Sequence, residues 1–245
     1  MKRSLPVIAF LVFLILIPVT YAETTEMTAD EHYLMGNAFS SLGQGQYENA
    51  TKEYRMALAI RPDFTDALNN LGIVLNRQGK YEEALAVADE AIRISRDDAE
   101  AWYNRGCTLG MLKRYEEETD SYKQALTIRP NFTSAWENMG ASYFDQGRFE
   151  DAIAAYLNET TYDPENAISW YYLGTVYEKT GQNSAAIAAF ENAVKIQPNF
   201  TTVQNRLDSV KRNLTSTTPS PGNNSSNVAE QDSSGLLSGI MNILK

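Results

Sequence analysis

The sequence predicts an all-α protein, a solenoid of five helix hairpins stacked in series and closed by a C-terminal capping helix. The first observation is a ruler: Gly72, Gly106, Gly140 and Gly174 stand 34 residues apart, as do Asn70, Asn104 and Asn138, and Trp102, Trp136 and Trp170. Four residue types share the register, because Pro130, Pro164 and Pro198 keep the same spacing at the far end of the unit. The second is apolar periodicity within each unit. "AWENMGASYFDQG" places Trp136, Met139, Gly140 and Tyr143 on one helical face, and "RFEDAIAAYLNET" does the same with Phe149, Ala152, Ile153 and Tyr156. The third is punctuation, with a turn glycine such as Gly147 between the two segments and a proline near the end of the second. A lone hairpin cannot bury its apolar stripe, so successive copies must stack.

Five units follow, at 29–64, 65–98, 99–132, 133–166 and 167–200. The first is 36 residues long because "LGQGQY" lengthens its turn by two. Glycine in the first helix lets the paired helix approach closely. Each tryptophan offers roughly 150–250 Å² for burial, and each proline ends the second helix. Residues 201–214 carry Val203, Leu207, Val210 and Leu214 on one stripe and Arg206, Lys211 and Arg212 on the other face, as a terminal capping helix requires.

These residues resemble the tetratricopeptide repeat (TPR) family. Its pattern Trp-x2-Leu-Gly-x2-Tyr…Ala-x3-Phe…Pro is met by Trp170, Leu173, Gly174, Tyr177, Ala186, Phe190 and Pro198. Unit four follows with Trp136, Met139, Gly140, Tyr143, Ala152, Tyr156 and Pro164. The resemblance spans about 70% of the chain and implies a right-handed α-solenoid. Departures fall in the middle. Arg96 replaces a boundary proline, Lys113 a turn glycine, and Glu118 and Glu159 two small alanines that pack between helices. A buried unpaired carboxylate is costly, so both acids are expected to reach solvent or find a basic partner, and the middle of the array to be looser than its ends.

In TPR proteins the first helices line a concave groove that holds extended peptides or a partner's helix. The resemblance carries this role to Tyr33 and Asn37 in unit one, Asn69 and Asn70 in unit two, and Tyr103, Asn104 and Cys107 in unit three. Unit four gives Glu137 and Asn138, and unit five Tyr171, Tyr172 and Thr175. Asn70, Asn104 and Asn138 look like an asparagine ladder, whose amides donate and accept and so pair with any peptide backbone; they are equally the consensus asparagines of a solvated face. The lysine and arginine clamp that holds a partner's C-terminal carboxylate is missing. The expected function is a protein-interaction scaffold for envelope or secreted proteins, whose partner is a neutral to mildly basic extended segment, with Tyr33, Tyr103 and Tyr171 as aromatic platforms. The alternative is a structural component that self-assembles through its solenoid ends or C-terminal tail.

Chemistry finds little foothold. No H-E-x-x-H, C-x-x-C, Walker loop or G-x-S-x-G occurs, so no enzyme, cofactor or metal is expected. His32 occupies the tryptophan slot, where packing is the expected role. Cys107 has no second cysteine to pair with; it reads as a small hydrophobe or, less simply, as a reactive thiol.

The two ends differ from the array. "MKRSLPVIAFLVFLILIPVTYA" (1–22) has a basic start, an apolar run from Leu5 to Val19 and a small-residue exit at Ala22, the layout of a secretory signal peptide. A retained membrane anchor is the other reading; both place the remainder outside the cytoplasmic membrane, after a short linker at 23–28. Cleavage leaves 19 basic against 31 acidic side chains, a net charge of −12, which argues against nucleic acid as a partner. Residues 215–234 form a Ser/Thr/Asn/Pro linker, and "GLLSGIMNILK" (235–245) a short amphipathic tail. The tail folds back on the solenoid or docks on a partner or membrane surface; eleven residues do not span a bilayer. Export makes seven N-x-S/T sequons admissible. Asn131 and Asn199 lie in inter-unit turns, Asn213, Asn223 and Asn224 toward the C-terminus, and Asn49 and Asn158 on second helices, where access is poorer.

Overall fold

A computed structural model describes residues 26–217. The segments at 1–22 and 235–245 lie outside that range, as do Asn223 and Asn224. Eleven α-helices follow in order: α1 (Ala29–Ser41), α2 (Tyr47–Ile60), α3 (Thr65–Arg77), α4 (Tyr81–Ile94), α5 (Ala99–Met111) and α6 (Tyr115–Ile128), then α7 (Thr133–Asp145), α8 (Phe149–Tyr162), α9 (Ala167–Lys179), α10 (Asn183–Ile196) and α11 (Thr201–Thr217). A 3-10 turn at Gln44–Gln46 takes up the two extra residues of unit one. There is no strand among the described residues, and none of their helices is long and apolar enough to cross a membrane. Each odd helix pairs with the even helix after it, and each even helix packs on the next odd one, so the chain is an all-α solenoid.

The hairpin turn recurs for a physical reason. Gly79, Gly147 and Gly181 hold φ of 75°, 72° and 74°, left-handed backbone that glycine adopts without a Cβ penalty. That conformation lets the residue after glycine donate back into the first helix, as Lys80 N does to Leu75 O. Unit three makes the same bonds with Lys113 at φ 60°, a strained position for a side-chain-bearing residue.

Where the hairpin closes, the signature glycine meets a ring. A Cβ on Gly106 would stand 2.5 Å from Tyr122, and one on Gly36, Gly140 or Gly174 would likewise crowd Tyr54, Tyr156 or Phe190. Gly72 faces no ring, since Ala88 fills that slot and the nearest atom is 3.9 Å away.

The joints between units alternate. Phe64, Phe132 and Phe200 precede α3, α7 and α11, packing on Tyr33, Tyr103 and Tyr171 of the preceding odd helix. Arg61 and Arg129 cover the first two phenylalanine rings. Thr28, Asp98 and Asn166 occupy the equivalent position before α1, α5 and α9, and their side chains cap the helix N-terminus. The true structural period is therefore two hairpins, 68 residues, within the 34-residue ruler.

Neither Glu118 nor Glu159 behaves as expected. Both are buried, at 7% and 1% exposure, and neither is paired with a cation. Ser142 Oγ donates to Glu118 Oε2 at 2.8 Å, and the Ser169 hydroxyl donates to Glu159. Burial raises both carboxyls, Glu159 to about 7 with Glu137 and Asp163 adding to the rise and the Ser169 bond opposing it. For Glu159, a carboxyl that keeps its proton up to about pH 7 and is bonded to a hydroxyl avoids much of the charge-burial penalty without a basic partner. The Ser142 bond serves Glu118 in the same way. His32 is also buried, with Nδ1 2.7 Å from Glu53 Oε2, tying α1 to α2.

Candidate functional site

The odd helices together form one face of the solenoid, and the sequence-predicted groove residues lie along it in a two-unit rhythm. In units one and two, Asn70 Nδ2 donates to Tyr33 Oη at 3.3 Å and to Asn37 Oδ1 at 2.8 Å, and Tyr54 Oη donates to the same Asn37 oxygen. In units three and four, Asn138 Nδ2 reaches Tyr103 Oη at 3.0 Å and Cys107 Sγ at 3.5 Å. At unit five and the cap, Arg206 takes the asparagine slot and donates to Tyr171 Oη and Thr175 Oγ1, both at 3.3 Å, while its Nε bonds Glu178.

Asn104 falls out of this set. It is buried at 5% exposure with Nδ2 unpartnered. The slots that hold Tyr33 and Asn37 in unit one hold Asn69 and Ile73 in unit two. Asn69 commits its amide to Asp98 Oδ2 at 2.8 Å, and Ile73 accepts nothing. The structure thus brings Asn70 and Asn138 into equivalent positions and separates Asn104 from them. The three tyrosine platforms are likewise engaged: each ring packs on a boundary phenylalanine and each hydroxyl accepts a hydrogen bond.

Open space on this face lies slightly further along the odd helices. A recess of about 660 Å³ sits over units two to four, lined by Asn76 and Arg77 of α3, Met111 of α5, Tyr115 of α6 and Asn138 and Asp145 of α7, among others. A smaller one of about 140 Å³ is walled by Phe144, Tyr156, Tyr171 and Tyr172. Met111, Tyr115 and Tyr172 are exposed, and Tyr172 stacks on Tyr156 with centroids 5.7 Å apart. Glu137 is half-buried, and burial raises its carboxyl above the ordinary range. Cys107 faces the larger recess, but burial raises its thiol too, which keeps the nucleophilic thiolate scarce. Met111, Tyr115 and Asp145 were absent from the sequence-based set. For Met111 and Asp145 the signal was positional, one helical turn beyond the family's groove slots, whereas Tyr115 opens α6 across the hairpin turn.

Of the sequons on second helices, Asn49 bonds Gln46 and Asn158 bonds Ala154 O. Asn131, Asn199 and Asn213 are exposed. No group of three metal-ligating side chains occurs among the described residues.

Sequence models of the tetratricopeptide repeat match residues 63–131 and 138–199, and a TPR repeat model matches 44–79. The chain is a tetratricopeptide repeat protein. Solved TPR structures share its fold. The MamA 41-end structure from Desulfovibrio magneticus RS-1 superposes with a TM-score of 0.62 at 19% identity, covering 70% of this chain and 96% of that one. YrrB, described as a TPR protein with an unusual peptide-binding site, gives 0.58 at 22% identity over 74% and 92%. TTC0263, a thermophilic TPR protein in Thermus thermophilus, gives 0.57 at 17% over 75% and 99%. No curated protein matches this TPR chain.

Proposed function

We propose that this TPR protein is a non-catalytic protein-interaction scaffold that holds an extended peptide segment along the face of its odd helices. The observation that carries the reading is the 660 Å³ recess over units two to four, where apolar and aromatic side chains (Met111, Tyr115) stand beside polar ones able to meet a peptide backbone (Asn76, Asn138). The recess sets Arg77 and Lys113 beside Asp145, a mixed lining that favours a segment without strong charge. The acidic balance of the whole chain favours a neutral to mildly basic one over an acidic one. The peptide-binding description of YrrB supports the same class of ligand. The signal-like segment at 1–22 favours envelope or secreted partners, and the acidic balance of the chain disfavours nucleic acid.

The test is capture of partners from an envelope fraction, comparing wild type with Asn138→Ala/Tyr115→Ala. Loss of captured protein with unchanged helical circular dichroism supports the groove. Undiminished capture by that variant, abolished instead by removing residues 235–245, would move the interaction to the tail.

A further inference from the structure

The recess over units two to four continues into the next joint with different chemistry. The smaller hollow of about 140 Å³ lies between units four and five, and Ala141 and Asp145 line both spaces. The 34-residue register makes the two equivalent. Gly110, Met111, Tyr122 and Asn138 line the recess, and Phe144, Asp145, Tyr156 and Tyr172 take the same four slots in the hollow. Two of these exchanges place a ring where a hydrogen or an amide stands one unit earlier, which narrows the space. A third places a carboxylate where the recess has the apolar Met111.

The walls of the hollow are aromatic and its surroundings are acidic. Tyr172 stacks on Tyr156 with 20° between the ring planes, and Tyr171 meets Tyr172 at 5.4 Å between centroids. Tyr156 is buried and Tyr172 exposed, so the wall runs from the hairpin core to the surface. Burial pushes the Tyr156 phenol above its ordinary range, and the charges of Glu159, Glu137 and Asp145 add to the rise. Glu137 and Asp145 therefore stand within electrostatic reach of that ring. Neither forms an ion pair among the described residues. Arg206, with its guanidinium 5.8 Å from the Tyr171 ring, is already held by Glu178.

We propose that this hollow is a subsite for one basic side chain, a lysine or arginine carried by the extended segment that lies in the recess. An apolar side chain would gain only burial there. A basic one lays its methylene stem on the rings, and its cationic head is attracted by their faces and by Asp145. Because Ala141 and Asp145 border both spaces, a segment in the recess can pass a side chain into the hollow without leaving the face. The inference rests on the peptide-groove reading and sharpens it to a neutral segment with one placed positive charge.

The test measures binding of the full chain to short peptide libraries by fluorescence anisotropy. Each library fixes its central residue as lysine, arginine, norleucine or glutamate and carries only uncharged residues elsewhere. The lysine and arginine libraries are expected to bind about tenfold tighter than norleucine, and glutamate weakest. Tyr172→Leu keeps an apolar wall without the ring face, and Asp145→Asn keeps the size without the charge. Each should reduce the lysine-to-norleucine ratio, and the double variant should bring it close to one, with helical circular dichroism unchanged. Glu82→Gln, which removes an exposed charge from α4, should leave the ratio as in wild type. Norleucine binding as tightly as lysine overturns the proposal and leaves the groove reading standing, because the libraries still bind. Failure of every library to bind overturns both. A lysine preference that survives in Tyr172→Leu/Asp145→Asn overturns the proposal by placing the charge contact elsewhere, and an equal loss in Glu82→Gln overturns it in favour of the overall charge of the chain.

Discussion

Gly72 and Gly106 occupy the same slot of neighbouring hairpins, yet they face different neighbours. Gly106 admits the Tyr122 ring, whereas Gly72 looks across at Ala88 with no side chain near. Three further slots differ between the same two units. The turn residue is Gly79 in unit two and Lys113 in unit three. The small residue of the second helix is Ala84 against Glu118, and the groove amide is a bonded Asn70 against a buried Asn104. Unit two keeps the family residues without always needing them, and unit three abandons several and compensates. Glu118 fits because Gly110 stands where unit two has Asn76: a Cβ on Gly110 would lie 2.6 Å from the Glu118 carboxylate. Conformity to a repeat pattern and dependence on it are separate properties.

The sharpest way to break this comparison is to give both glycines the same methyl group. Gly106→Ala forces Tyr122, fully buried and fixed by its neighbours, out of its place, at about 2–3 kcal/mol for an overpacked site. Gly72→Ala meets no atom closer than Ala84 O at 3.9 Å and gains helix propensity of up to about 1 kcal/mol. Urea unfolding followed by circular dichroism should therefore move in opposite directions for the two variants. Equal destabilisation would mean that the slot, not the ring, sets the requirement.

The carboxylates supply the next largest effect. Glu159 has its folded pKa raised from 4.5 to about 7 by burial. The folded chain then holds a proton that the unfolded chain has released. Stability contributed by the neutral acid is full below about pH 4.5, declines as pH rises, and levels off above about 7. Glu118 shifts in the same direction. The expected fall is on the order of 2 kcal/mol, and Glu159→Gln should flatten most of it. Unit two, with Ala84 and Ala91 at the two equivalent slots, contributes no such slope. A flat profile for wild type between pH 5 and 8 would remove the raised Glu159 carboxyl from the account.

The repeat register, hairpin order and capping helix were legible in the sequence because each rests on local rules: helical periodicity, turn glycine and breaking proline. What stayed hidden were pairings between units. Ser142 and Ser169 stand where other units place Val74, Ala101 or Ala135, and each serine receives one of the out-of-place glutamates. Those substitutions were visible singly, but only the packing shows that they meet. The groove was legible as a face and less so as contacts. Asn70, Asn104 and Asn138 share one register, and whether each amide is bonded depends on the residues one unit earlier, Tyr33 and Asn37 or Asn69 and Ile73. The 68-residue alternation was present in Phe64, Phe132 and Phe200, but the stronger 34-residue signal of glycine and tryptophan masked it.

Helix capping separates the two units by a smaller margin. Asp98 Oδ1 accepts from the backbone of Glu100 and Ala101 at the start of α5, and Asp98 Oδ2 accepts from Asn69. Phe64 precedes α3 with no side-chain cap. Asp98→Ala should cost about 1 kcal/mol in thermal or urea unfolding, with the Asn69 bond lost as well. A neutral result would show that the phenylalanine-type and cap-type joints are interchangeable.

The smallest expected effect concerns the turns, where unit three is predicted to be improvable. Lys113 holds φ at 60°, in a region that costs a side-chain-bearing residue about 1–2 kcal/mol. Its amide still donates to Gly110 O at 2.9 Å, so the turn bonds are intact and only the Cβ is strained. Lys113→Gly relieves that strain and gives back about 0.5–1 kcal/mol through the greater freedom of glycine in the unfolded chain. The net gain should be about 0.5–1 kcal/mol. The reciprocal Gly79→Lys places a Cβ at φ 75° in unit two and should lose a similar amount. Because neither side chain lies within the helix–helix core, a gain and a loss of matching size would assign the difference to backbone conformation alone. If Lys113→Gly instead lowers stability, the lysine acts through the recess it lines, beside Glu118 and Asp145.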